Sequence, residues 1–159
     1  ESAVGHPVTG GRQHYLNLRT PDTWEHQRAL GLRYDCSLGT SAEPGFHHGH
    51  GIRRPFGADD GFVVFPLTIM EQSIPDPAED FDAAWATCED LLREAHAEGA
   101  VMSVLWHLRH FAPEEFPGHR RIYRRLIRRA QELGAWVGSP GAFYEELELD
   151  APPASATVR

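Results

Sequence analysis

The chain has 159 residues, of which 41% are hydrophobic and 24% charged, enough for one globular domain with a single core and too short for two. Its formal net charge is −8 and all 15 basic residues are arginine, a balance that excludes general nucleic-acid binding, which wants a basic footprint. No apolar run approaches the roughly 20 residues that cross a bilayer and no basic-then-apolar leader opens the chain, so no membrane partner is expected and the localisation is left unassigned.

In chain order, strands alternate with helices. RQHYLNL (12–18) alternates like a strand, with Arg12, His14, Leu16 and Leu18 on one side. TPDTWEHQRALG then reads as a short helix, with Thr20 as cap, Pro21 at its first position and Gly31 closing it. LRYDCSL (32–38) is a second short strand. A histidine-rich loop, GFHHGHGIRRPF (45–56), precedes FVVFPLTI (62–69), a near-continuous apolar strand. The longest helix follows, with Asp76 as cap, Pro77 in the first turn and Glu79 three residues after the cap. Phe81, Ala84, Trp85, Cys88, Leu91, Leu92 and Ala95 line one face of it. AVMSVLWH (100–107) is another buried strand, and PGHRRIYRRLIRRAQELG is a helix with Ile122, Leu126, Ala130 and Leu133 inward. AWVGS is a last strand, Ser139-Pro140 opens a short final helix, and residues 151–159 read as a disordered tail. Continuous apolar strands separated by amphipathic helices predict an α/β fold with a parallel sheet.

Several residues are candidates for chemistry. His47, His48 and His50 suit zinc, but adjacent His47 and His48 do not readily both turn inward, and Gly45, Gly49 and Gly51 mark sharp turns. The loop therefore reads as one without a buried metal, and a zinc site joining His47 and His50 to His107 or His110 is the lesser alternative. His107 stands where a buried strand ends, the place where parallel α/β folds put catalytic groups. His110 faces the same way if a helical turn follows. Asp35 sits on a strand-like run and needs a partner, for which Arg12 or a histidine would serve, or else it is only a structural acceptor for backbone donors. Glu71 is a second strand-end acid, open between a site role and a solvent-facing turn. Cys36 and Cys88 read as buried free thiols. The six arginines between Arg120 and Arg129 repeat at i and i+4 opposite the apolar face and read as a solvated surface, with a phosphate- or polymer-binding role as the lesser alternative.

The segments GRQHYLNLRTPDTWEHQRALGLRYDCSLGT, PGFHHGHGIRRPF, VVFPLTIME, SVLWHLRHF and AWVGSP, in this order, resemble the later part of the polysaccharide deacetylase family, carbohydrate esterases with a NodB-like domain. The resemblance runs from residue 10 to residue 145. It implies a distorted (β/α) barrel of the glycoside hydrolase/deacetylase type, here only its C-terminal half, over residues 1–150. It also implies removal of acetyl groups from an acetylated sugar or polysaccharide with a divalent metal, zinc or similar. RQHY resembles the family's Arg-x-Pro-Tyr motif, with His14 where proline is usual, so that Arg12 would orient the catalytic base and the main chain at Tyr15 would help hold the oxyanion. GLRYDCSL resembles Gly-x-x-Tyr-Asp-Ser-Ser and places Asp35 at the active-site wall. VLWH resembles Leu-x-His, which makes His107 the general acid. The histidine loop resembles a Gly-Phe-x-x-Gly loop beside the substrate groove, where Phe46, His50 and Trp106 would touch sugar.

The family's Asp-Asp motif and His-x-x-x-His metal motif lie upstream of the arginine motif, and neither occurs among the eleven residues before Arg12. The resemblance thus implies that the metal ligands and the base are not in this chain and that residues 1–159 alone are inactive. A missing N-terminal half or a second copy is expected to cover the strand edges of a half-barrel. The alternative is a non-catalytic remnant of that fold that binds carbohydrate or a partner.

Overall fold

The computed structural model describes Ala3, residues 5–147 and Leu149, so the tail expected at 151–159 lies outside the described residues. Where the sequence reads as one domain over 1–150, the chain divides into two compact units. The first is drawn from Glu1–Leu38, Ile52–Pro66 and Gly138–Arg159, the second from Gly39–Gly51 and Leu67–Val137.

In the first unit β1 (Gly10–Gly11), β2 (Tyr34–Asp35) and β3 (Val63–Val64) pair in parallel in that order. The strand expected over 12–18 does not form. Pairing stops at Gly11, and His14–Leu16 make one 3-10 turn in which Tyr15 and Leu16 hold φ values of 57° and 52°. A ladder cannot run through left-handed residues. Position 10 requires glycine, because a Cβ there would lie 2.0 Å from the Tyr34 ring. The strand expected over 32–38 shrinks to Tyr34–Asp35. Helix α1 (Asp22–Ala29) begins after Pro21, and Thr20 does not cap it; Thr23 Oγ1 instead accepts from the Arg19 amide at 3.0 Å. A later helix of this unit, Pro140–Glu146, is capped by Ser139 as expected, and its Tyr144 hydroxyl donates to the Gly61 carbonyl at 2.8 Å.

In the second unit β4 (Leu67–Met70) pairs in parallel with β5 (Ser103–Leu105). The apolar run 62–69 is therefore two strands. Pro66 has no N–H to give a ladder, and β3 and β4 go to different sheets on either side of it. Helix α2 (Phe81–Glu98) is capped by Asp80, whose Oδ1 accepts from the Ala83 amide at 2.9 Å. Asp76, expected as the cap, closes the preceding turn through Ala78. Gly99, at φ 62°, ends the helix. Helix α3 (His119–Glu132) follows, and the Pro140–Glu146 helix is α4. The strand expected over 135–139 is absent. Trp136 and Val137 are 52% and 39% exposed, and such residues gain no burial from a sheet there.

The core of the second unit joins Ile69 and Ile74 to Cys88, Leu92, Ile122 and Leu126. Each fully buried aliphatic side chain of this kind is worth roughly 1.5–3 kcal/mol relative to exposure. Both cysteines are free and buried, as the sequence reading has them. Burial pushes the Cys88 thiol up to about 12 and the Cys36 thiol, against the pull of Arg12, up to about 11. Among the described residues no helix is long and apolar enough to cross a membrane.

Candidate active site

The pairing of β4 with β5 decides where the chemistry gathers. Met70 stands opposite Leu105, so the residues just past the two carboxyl ends meet. Glu71 is the first residue beyond β4 and His107 the second beyond β5. The Glu71 carboxylate is 1% exposed and accepts twice from His107, from the ring Nδ1 at 2.6 Å and from the main-chain amide at 3.2 Å. A carboxylate against Nδ1 places the ring hydrogen there and reserves Nε2 for an outside partner. The His107 side chain is 47% exposed, so that partner can reach it. Glu71 is thus a buried orienting group and not a solvent-facing turn residue.

The 3-10 turn Leu108–Phe111 brings His110 back to the same carboxylate, with Nδ1 3.2 Å from Glu71 Oε1. The approach is off the line a hydrogen bond needs, and Nδ1 ends without a hydrogen-bond partner. His119 Nδ1 and Trp106 Nε1 are likewise buried without one. The His110 ring packs 4.2 Å from Phe116 and 4.9 Å from His119. Burial holds its pKa below the ordinary histidine value despite the attraction of Glu71, so the ring is neutral at pH 7.

Glu71, His107 and His110 offer ligand atoms that all lie within 4.8 Å of one another, a group that could hold a metal ion. Two imidazoles and one carboxylate are a donor set that zinc enzymes use. The spacing fits a hydrogen bond better. Ligand atoms around a tetrahedral zinc with bonds of about 2.0–2.1 Å stand about 3.3 Å apart, and Glu71 and His107 are closer, at 2.6 Å.

In the first unit the same strand-end logic assembles a second polar cluster. Gly11 stands opposite Asp35, so Arg12 emerges beside Cys36 and its Nε donates to the Cys36 carbonyl at 2.8 Å. Asp35 is fully buried and accepts from Trp24 Nε1 (3.2 Å), Gln27 Nε2 (2.8 Å), the Ser37 amide (2.8 Å) and the Ser37 hydroxyl (2.6 Å). Ser37 Oγ accepts in turn from the Gln13 amide at 2.8 Å. The partners of Asp35 are therefore neutral donors and not Arg12 or a histidine, and the Ser37 amide among them fits the alternative of a structural acceptor for backbone donors. The strained turn at Tyr15 follows at once, its side chain 90% exposed.

No family model, curated protein or solved structure matches this chain.

The loop histidines do not join His107. His47 Nε2 lies 3.3 Å from the Glu43 carbonyl, and His50 Nε2 is 2.8 Å from Glu94 on α2. The alternative zinc site built from His47, His50 and His107 or His110 is accordingly set aside. Phe46 stacks 4.8 Å from His50, and both Phe46 and Trp106 are half-buried against the core of the second unit. Trp106 lies 5.4 Å from Tyr123. Sequence reading passed over His119, Trp24, Gln27 and Ser37. A signal existed for His119, which continues the inward stripe of Ile122 and Leu126 back by one turn. Trp24 and Gln27 are three apart on α1 and share a face in the same way.

Proposed function

We propose that this chain carries the general-acid side of a deacetylase acting on an acetylated sugar or polysaccharide, within a distorted (β/α) barrel. The observation that carries the reading is the 2.6 Å bond between buried Glu71 and half-exposed His107 at adjacent parallel strand ends. An amide nitrogen leaves poorly unless it is protonated. His107, held through Nδ1, would give its Nε2 proton to that nitrogen while Glu71 stabilises the charged ring. A divalent metal, with ligands expected outside this chain, would supply the activated water and polarise the carbonyl. Arg12 would orient the base, Asp35 would fix the wall and the Tyr15 main chain would help hold the oxyanion. Support for the Tyr15 role is the left-handed backbone at Tyr15 and Leu16, of the kind that gathers at functional turns. Trp106, Phe46 and His50 would touch sugar with the edges their packing leaves open.

Under this reading residues 1–159 alone release no acetate from chitooligosaccharide. A chain that also carries Asp-Asp and His-x-x-x-His motifs ahead of Arg12 does, and His107→Ala lowers its turnover about 10²–10⁴-fold. Turnover indifferent to His107→Ala would sink the reading. Sugar affinity without turnover in that longer chain would select the non-catalytic alternative.

A second reading is favoured by the unpartnered Nδ1 of His110: Glu71, His107 and His110 hold a divalent metal themselves. It competes with the first, because a metal on His107 Nδ1 displaces the bond to Glu71. Zinc titration followed by calorimetry separates them. The expected result is no stoichiometric site; one zinc per chain, lost in His110→Gln, would establish the metal centre instead.

A further inference from the structure

Helices α2 and α3 meet along a ladder of three rungs. The Arg121 guanidinium lies 3.3 Å from the Phe81 ring centroid and that of Arg125 lies 4.0 Å from Trp85, while Arg129 Nε bonds Glu89 at 3.1 Å. Both helices step by four residues per rung, one turn each. Arg121 and Arg125 are exposed, as the reading of a solvated surface has them, and Arg129 is part-buried; all three of this inner row also contact α2. Arg120, Arg124 and Arg128 form an outer row, exposed, one residue earlier on each turn. No carboxylate pairs with them among the described residues.

The open groove along these helices measures about 1150 Å³ and is lined by seven arginines, six from α3 with Arg93, against the carboxylates of Glu89 and Glu132. Both carboxylates are already engaged. Glu89 takes Arg93 and Arg129, and Glu132 takes Arg129 at 3.4 Å. Burial pushes Glu89 up, but the bonds from Arg129 and Arg93 outweigh it and hold the carboxyl below its ordinary range. Among the described residues five of these arginines are left without a carboxylate, in a chain whose formal charge is −8. Like charges at i and i+4 cost a helix roughly 0.2–0.5 kcal/mol per pair. The outer row makes none of the contacts by which α3 packs on α2.

We propose that this groove binds an anionic polysaccharide, a chain bearing carboxylate or sulfate groups. The guanidinium fork matches both groups with two parallel hydrogen bonds. Arg120, Arg124 and Arg128 repeat about every 6 Å along the axis, a row for a linear polyanion. Screening beyond about 8 Å at physiological salt lets the local surplus govern, and not the charge of the whole chain. Nucleic acid fits less well. Single strands are held by bases stacking on open aromatic faces, whereas Phe81 and Trp85 already carry guanidinium groups over their rings. The inference is independent of the role given to His107.

The test uses two probes, heparin for sulfate and polygalacturonate for carboxylate, with calorimetry at two salt concentrations. At least one polymer is expected to bind, more weakly at higher salt. The triple variant Arg120→Glu, Arg124→Glu, Arg128→Glu is expected to lose at least tenfold in affinity with an unchanged circular dichroism spectrum, since it leaves the ladder intact. Should that variant not fold, the triple change to Gln is expected to lose affinity in the same direction. Binding of neither polymer at low salt, binding untouched by a folded triple variant, or tighter binding of poly(dT) than of both polymers would each overturn the proposal.

Discussion

In the longer chain that also carries Asp-Asp and His-x-x-x-His motifs ahead of Arg12, Glu71→Gln is expected to lower turnover by about 10²–10⁴-fold while leaving the substrate KM nearly unchanged. The change conserves shape and removes one acceptor. Glu71 accepts at one oxygen from the His107 amide and at the other from His107 Nδ1. A glutamine must offer its NH₂ group to one of those two donors. The main-chain N–H cannot give up its hydrogen, so the amide oxygen goes there and the NH₂ faces Nδ1. The ring answers by moving its hydrogen to Nε2. Nδ1 then accepts from the amide, and the doubly protonated ring that an acid needs would set N–H against N–H. A residue that served only to pack the strand ends would tolerate the swap, so an unaltered kcat in a variant with a native unfolding midpoint would remove Glu71 from the mechanism.

What the sequence makes legible is what depends on periodicity. The apolar stripes of α2 and α3 stand where one-face spacing puts them, and Ser139 caps α4 as the Ser-Pro pair suggests. His107 at a strand end is legible for the same reason, because an apolar run that stops at a polar residue marks the end of a buried strand. The failures share a different cause. Whether RQHYLNL is a strand depends on the partner across from it, and the partner accepts only Gly10 and Gly11, beside the Tyr34 ring. AWVGS has the composition of a strand and no sheet to join. Register is equally invisible: that Met70 lies opposite Leu105 is a fact about two segments 35 residues apart, and only that fact turns Glu71 from a turn residue into the orienting group of His107.

In each unit taken by itself, polar residues gather where parallel strands end. Arg12 leaves β1, Asp35 ends β2 and runs on to Ser37, Glu71 leaves β4 and His107 follows β5. Every one of these residues stands at or just past the carboxyl end of a parallel strand. There the ladder no longer uses the main-chain groups, and side chains from neighbouring strands converge. Structural reasons alone do not require β2 and β4 each to spend a buried carboxylate, Asp35 and Glu71, at its carboxyl end, since each costs desolvation that hydrogen bonds only offset. The clusters differ in what they leave open. Around Glu71 one imidazole reaches solvent, while around Asp35 all four donors point at the carboxylate, a geometry that suits the first to exchange a proton and the second to brace the strand end.

That brace gives the largest expected effect on stability. Asp35→Ala strands the donors of Trp24, Gln27 and Ser37 in a buried setting, at about 1–3 kcal/mol for each unsatisfied group. A loss of about 3–6 kcal/mol is therefore expected, a large share of the roughly 5–15 kcal/mol that holds an ordinary domain together. Asp35→Asn should cost much less, for a reason visible at Gln27. Its Nε2 donates to Asp35 Oδ2 while its Oε1 is buried with no partner. A half-turn of the Gln27 amide would present Oε1 to the new Asn NH₂ group, and the Ser37 hydroxyl can accept where it now donates. The asparagine oxygen keeps Trp24 and the Ser37 amide. Denaturant unfolding followed by circular dichroism measures both variants, with Gln27→Leu combined with Asp35→Asn as the decisive third. If the rescue runs through Gln27, the double change costs more than its two parts together; if Asp35→Asn is as damaging as Asp35→Ala, the negative charge itself and not the count of acceptors holds the strand end.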